Sequence, residues 1–385
     1  MSTAPPPPIG QADAAASDAS LLRIVAPPVS MQRLSVRVDD GPGPWIDYRS
    51  HPAYRDLAAS AGLTDRIAAL LSFARYFALI LCKRLISYEL IPAHLRNDRS
   101  AGGLLRLLQR AALHVLHRVA PPKPARSVAG DQVLHHLRND GVCVLQIDPA
   151  QFARLLALAQ PEYDALRRRR GVQTQGHRDF DESRATALRT SSGDLFDQVE
   201  AILETSGALQ GVAAYIGRKA SLIDANPQIN DTSDDFWQHI FTDLPATDRP
   251  NRYMHRDASG GDVKAIFYMS DVGPANGPFS YVLGSHRARS STLVDWIEEA
   301  NDQGPLSGTN LRSRQVFAAL PQALQRKCSC GNDLLPSTEV SERLLAAEWT
   351  ILAPRGHVVL FDTKGFHRGG LVKQDERIVL TCVMG

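Results

Sequence analysis

Residues 253–286 read YMHRDASGGDVKAIFYMSDVGPANGPFSYVLGSH. Two runs inside this stretch, VKAIFYMSDV and FSYVLGS, are rich in β-branched and aromatic residues, and Gly, Pro and Asn separate them. Runs of that kind bounded by turn residues predict short strands. Outward from here the same texture recurs in FWQHIFTD, EWTILAP, HVVLFD and RIVLTCV, and no α-helical period joins them. The expected class is therefore mainly β with flanking helices, an all-β barrel or jelly roll built late in the chain. Helical patterns such as LVDWIEEAN and RQVFAALPQALQ interrupt it over about 291–345. No internal repeat is evident.

Upstream, GVCVLQI at 141–147 predicts one more strand, and Asp148-Pro149-Ala150-Gln151 opens a helix. Asp148 is suited to the N-cap, Pro149 to the first helical position, and Gln151 to closing a capping box. Pro161 is expected to kink or restart that helix, and Arg167–Arg170 followed by Gly171 to end it. Earlier still, Ile67, Leu70, Leu71, Ala74, Phe77, Ala78, Leu81 and Leu85 recur at helical spacing, and a second amphipathic pattern covers 104–119. The organisation expected is a disordered tail at 1–30, an N-terminal helical region at 45–120, a Pro-rich linker at 121–130 and the β domain at 131–385. The helices are expected to pack on the main domain; contact with a membrane surface or an acidic carrier protein is the less favoured use of their basic faces.

The 385 residues can bury a full enzyme core, and a net charge of +2 does not suggest a nucleic-acid binder driven by bulk charge. The N-terminus has no secretory pattern, and the most apolar stretch, 68–82, is too short to span a bilayer. An odd set of five cysteines argues against a disulfide framework and for a reducing compartment, the cytoplasm.

The candidate chemistry begins at His255 and Asp257. Side chains at i and i+2 of an extended segment point to one side, so an imidazole and a carboxylate can bind one metal in cis. A second His from a distant strand would complete a two-His, one-carboxylate face with open positions, a set that suits Fe(II) better than structural zinc. His367 is the choice, because it precedes the Gly369-Gly370 pair and a strand headed by Arg377. A buried Arg is a natural fork for a carboxylate.

Tyr253–His286, with Asn276-Gly277-Pro278 and Gly284-Ser285-His286, resembles the proximal half of the phytanoyl-CoA dioxygenase-like family of Fe(II)/2-oxoglutarate oxygenases. GHVVLFDTKGFHRGG with Arg377 resembles the distal half, and GVCVLQIDPAQF the opening strand and helix. The resemblance covers about 140–385, thinly between 171 and 236. It implies a double-stranded β-helix, the cupin-like jelly roll, with helices outside. It also implies that His255, Asp257 and His367 hold Fe(II) and that Arg377 pairs with the distal carboxylate of 2-oxoglutarate. Succinate and CO2 would form as O2 is consumed and a C–H of a small or carrier-linked metabolite is hydroxylated. A carboxylate at 257, rather than a small residue, favours oxygenation over halogenation. Tyr253, Lys264 and Tyr268 flank the proximal motif and are candidates to help hold 2-oxoglutarate; strand parity alone does not choose among them.

Rival residues are weaker. His177 and Asp179 repeat the His-Arg-Asp spelling in a polar stretch without a strand behind it. His357 opens a strand and competes with His367. His239 and His286 have only their strand or turn context, and Cys328 with Cys330 is half a zinc pattern. Two other readings stay open: a cupin-like barrel that binds metal or ligand without turnover, and a cupin-type metalloenzyme that does not use 2-oxoglutarate.

Overall fold

The computed structural model describes residues 23–34, 52–86, 127–173, 184–186, 193–217, 219–231, 263–288, 318–325, 339–370 and 372–385. In chain order the strands are β1 (Arg23–Val25), β2 (Val142–Gln146), β3 (Arg184–Thr186), β4 (Leu222–Asn230), β5 (Val263–Tyr268), β6 (Phe279–Val282), β7 (Glu348–Ile351), β8 (His357–Asp362), β9 (His367–Gly369) and β10 (Arg377–Met384). The helices are α1 (Pro52–Ser60), α2 (Leu63–Ile86), α3 (Val128–Asn139), α4 (Pro149–Gln173), α5 (Asp194–Thr205), α6 (Ala208–Ile216), α7 (Gln322–Gln325) and α8 (Glu339–Ala346).

The described strands form a seven-stranded sheet in the order β1-β2-β8-β5-β10-β4-β3 and a three-stranded sheet in the order β7-β6-β9. Strand alternation explains how one sequence serves two cores. In β5, Val263, Ala265 and Phe267 point into a core shared with α3, α4, α5 and α6. Ile266 and Tyr268 point the other way, into a core between the two sheets that includes Phe279, Tyr281, Trp349, Val359, Phe361 and Val379. Both faces are buried, so VKAIFYM reads as a nearly continuous apolar run. A third cluster covers the outer side of the small sheet, where Val282 and Phe366 meet Leu344 and Ala347 and also Leu34 from the N-terminal segment.

Several expectations need correction. Residues 23–25 lie inside the expected disordered tail, yet they pair antiparallel with β2, and Leu34 N–H donates to the Leu283 carbonyl at 2.8 Å. A Pro- and Ala-rich composition hid the short segment RIV, which pairs with the edge of β2 and packs Ile24 against the helix-side core. The expected linker at 121–130 ends early, because Ser127 caps α3 by accepting the Gly130 N–H. Asp148 caps α4 as predicted, accepting from Ala150 and Gln151 N–H. Gln151 closes no capping box and instead donates to Thr205 Oγ1. Helix α4 also runs through Pro161 and past Gly171 to Gln173.

Strand β4 was not expected at all. Pro227 argues against a strand, since it cannot donate to a ladder. The structure resolves this: β3 pairs with β4 only at Gln228–Asn230, so at Pro227 one side of β4 has no described partner strand. The helix expected from the amphipathic pattern is present as α2, and on it Ala69 is buried while Ile67, Leu70 and Leu71 are 49%, 42% and 66% exposed. Periodicity identifies an apolar face and is silent on what covers it. Among the described residues no helix is long and apolar enough to cross a membrane. The expected helix at 104–119, the strand FWQHIFTD and the pattern LVDWIEEAN lie outside the described residues.

Candidate metal centre

The chain passes from the large sheet to the small one between Asp362 and His367. His367 opens β9 opposite Tyr281 of β6 and is 4% exposed. Its Nδ1 lies 2.9 Å from the Gly365 carbonyl, which can only accept, so this nitrogen carries the proton. In the neutral ring the lone pair then belongs to Nε2, the arrangement a metal-binding imidazole needs. Three aromatic rings fix the plane: Tyr281 lies nearly parallel at 6.4 Å, with Phe361 and Phe279 tilted at 4.9 and 5.7 Å.

Arg377 stands at the head of β10 and is 8% exposed. It shares parity with Val379, which lies in the core between the sheets, so its side chain enters the same space. Its Nη1 donates to the Gly277 carbonyl. A Cβ placed on Gly369 would lie 3.3 Å from its Nη2, so the guanidinium reaches β9 from the opposite sheet. Gly369 and His367 are on one face of one strand, about 7 Å apart at the usual rise per residue. His367 and Arg377 thus both enter the cleft between the two sheets, a space filled by buried side chains.

Strand parity puts two of the flanking residues on one face and does not choose between them. Lys264 and Tyr268 alternate with Ala265 and Phe267, so both are on the face toward the cleft. The Tyr268 hydroxyl donates to the Ile351 carbonyl and accepts from Phe279 N–H, tying the sheets together. Burial raises its pKa, partly offset by the charge of Arg377. Lys264 stands opposite Phe361, one of the rings against His367.

His357 is at the other end of β8, about 13 Å of strand from Phe361, with its Nδ1 2.9 Å from the Pro354 carbonyl. It does not share the cleft end with His367. His286 is structural: its Nε2 lies 3.1 Å from the Arg138 carbonyl, and burial holds its pKa below the ordinary value.

His255, Asp257 and Tyr253, like His177, Asp179, His239, Cys328 and Cys330, lie outside the described residues. The strand that follows His255 and Asp257 is β5, central in the large sheet between β8 and β10.

One polar row was missed. Asp224, Asn226, Gln228 and Asn230 alternate with Ala225, Pro227 and Ile229 along β4. Ala225 and Ile229 belong to the helix-side core, so the polar residues are on the cleft-side face. Gln228 donates to Thr381 Oγ1 at 2.6 Å, and Thr381 donates to the Asn226 carbonyl at 3.2 Å. The alternating polar pattern D-x-N-x-Q-x-N was a legible signal, masked by the proline within it.

No protein-family model and no curated protein matches the chain. Solved structures do. AviO1 from Streptomyces viridochromogenes Tue57 aligns at 15% identity over 68% of this chain and 96% of its own, with a TM-score of 0.37. The non-heme alpha ketoglutarate dependent epimerase SnoN from nogalamycin biosynthesis aligns at 13% identity over 67% of this chain and 82% of its own, TM-score 0.37. EctD from S. alaskensis aligns at 14% identity over 69% of this chain and 79% of its own, TM-score 0.41. Likeness at that level fixes neither fold nor activity.

Proposed function

We propose that the chain is an Fe(II)/2-oxoglutarate-dependent dioxygenase on a double-stranded β-helix, of the phytanoyl-CoA dioxygenase-like kind. The observation that supports this reading is the approach of buried Arg377, from the opposite sheet, to β9, the strand that the buried His367 opens. His367 fits the metal by its donor chemistry: the Gly365 carbonyl takes Nδ1–H and assigns Nε2 to the ligand role. His255 and Asp257, which precede the central strand β5, would supply the other two ligands. Bound iron would supply the redox chemistry that activates O2 and couples conversion of 2-oxoglutarate to succinate and CO2 with hydroxylation of a substrate C–H.

The chain's own residues have separate tasks. Arg377 would pair bidentately with the far carboxylate of 2-oxoglutarate, about 7 Å of strand from the ligand His, a span suited to a five-carbon diacid. Tyr268 holds the two sheets together beside Arg377, and Lys264 adds a second cation on the cleft face. The polar row on β4 with Thr381 favours a small, hydrogen-bonding substrate, and the apolar sheet core excludes water. Buried free Cys143 and Cys382 suit a reducing, cytoplasmic setting.

The test is succinate formation from 2-oxoglutarate with Fe(II) in air. Arg377→Ala should weaken 2-oxoglutarate binding by about 2–5 kcal/mol, roughly thirtyfold or more. Metal-dependent activity that ignores both 2-oxoglutarate and Arg377→Ala would show a different cupin-type enzyme.

A further inference from the structure

The turn that delivers His367 is held from behind by side chains outside the metal site. Asp362, the last residue of β8, is 4% exposed, and its carboxylate faces the helix layer. Tyr215 of α6 donates its hydroxyl to Asp362 Oδ2, while Asp362 Oδ1 accepts the Lys364 N–H at 2.8 Å. The Asp362 carbonyl accepts from both Gly365 N–H at 3.1 Å and the Tyr281 hydroxyl at 3.0 Å. Ser285 Oγ accepts Phe366 N–H at 2.7 Å. Every bond converges on residues 362–366, and the Gly365 carbonyl at their centre is the group that accepts from His367 Nδ1. There is no slack here: a Cβ on Gly365 would lie 1.8 Å from the Tyr281 hydroxyl oxygen.

We propose that Tyr215 and Asp362 are positioning residues for His367: Tyr215 reaches through from the helix layer to hold the Asp362 carboxylate, Asp362 fixes the turn, and the turn fixes the imidazole tautomer. Asp362 is acceptor-only when ionised, so it can take the phenol proton and a backbone N–H at once. Removing Tyr215 Oη frees the carboxylate to rotate and to release Lys364. The Gly365 carbonyl then loses its fixed direction, and the choice between Nδ1–H and Nε2–H is no longer imposed. The inference concerns the ligand role of His367 and rests on the proposed metal site, but the tautomer is a property of the metal-free protein.

The experiment therefore has two readouts. Nitrogen-15 NMR of histidine-labelled, metal-free protein at mildly alkaline pH reports the His367 tautomer, assigned by comparison with His367→Gln. Titration with Co(II) reports metal affinity. The wild type should show His367 protonated at Nδ1. Tyr215→Phe and Asp362→Ala should show a tautomer mixture and bind Co(II) about 10- to 100-fold more weakly, the usual effect of losing a partner that orients a ligand. Asp362→Asn, which keeps an oxygen for Lys364, should lie between Asp362→Ala and wild type. Tyr163→Phe is the control. It removes another buried hydroxyl, one that donates to the Val379 carbonyl at 3.1 Å, and should leave both readouts at wild-type values. Wild-type tautomer and affinity in Tyr215→Phe and Asp362→Ala, or equal changes in Tyr163→Phe, would overturn the clamp. A wild-type Nδ1–H tautomer that Tyr215→Phe perturbs, in a protein that binds no metal, would support the clamp and reject the iron site.

Discussion

The imidazole of His367 has two nitrogens, and the Gly365 carbonyl claims one of them. His357 has the same kind of bond, from Nδ1 to the Pro354 carbonyl, and His286 faces the Arg138 carbonyl through Nε2, so among the described buried histidines it is the place at the start of β9 that sets His367 apart. Sequence already favoured His367 by its place before Gly369-Gly370 and Arg377, but its tautomer was beyond reach, because it depends on a turn held by Tyr215, Tyr281 and Ser285 from other elements. His367→Ala should abolish Co(II) or Fe(II) binding while the protein remains folded by circular dichroism. Arg377→Lys should recover little of the 2-oxoglutarate affinity lost in Arg377→Ala, since the ammonium keeps charge but not the planar fork. Calorimetry of 2-oxoglutarate binding to the Fe(II) form checks this, and full recovery would mean that charge alone suffices. Gly365→Ala should destabilise by about 1–3 kcal/mol through overpacking against Tyr281, measured by denaturant unfolding.

At the scale of elements, residues 23–34 are part of the two-sheet fold. β1 extends the large sheet, Leu34 seals the outer side of the small sheet beside Phe366, and Arg33 binds Asp140 at 2.6 Å. Leu34→Ala should therefore cost about 2–3 kcal/mol, read as a lower denaturation midpoint. Burial by itself would raise the Asp140 carboxyl, but the hydrogen bonds and charges of His136 and Arg33 outweigh it and hold its pKa below the ordinary 3.8. A carboxyl depressed in the folded state stabilises fully above its unfolded value, and that contribution disappears as pH falls through the folded value. Arg33→Ala should lower stability near pH 7 and shift the acid-unfolding midpoint to higher pH, and its difference from wild type should shrink as pH falls until Asp140 is protonated in both. An unchanged midpoint would remove Arg33 from the account. Strands β5, β6, β7, β8 and β10 were legible because each is rich in β-branched and aromatic residues. β1, β3 and β9 were not, being three residues each and ordered by their neighbours. β4 was hidden by Pro227, although its alternation carried the signal.

At the scale of the molecule, two sheets and a helical layer bury His367 at the start of β9 and bring Arg377 to the same strand from the opposite sheet. What the motif order could not give is the wall: the polar row of β4 faces the cleft only because Ala225 and Ile229 are drawn into the helix-side core. The proximal pair His255 and Asp257 enters through its place before the central strand β5, and the iron and 2-oxoglutarate assignment depends on it as much as on His367. Anaerobic addition of Fe(II) and then 2-oxoglutarate to the metal-free protein tests all four residues together. The wild type should develop a visible metal-to-ligand charge-transfer band, and the band should be lost in His255→Ala and in His367→Ala and need far more 2-oxoglutarate in Arg377→Ala. A wild-type protein that shows no band, or a band that survives His255→Ala unchanged, would contradict the account.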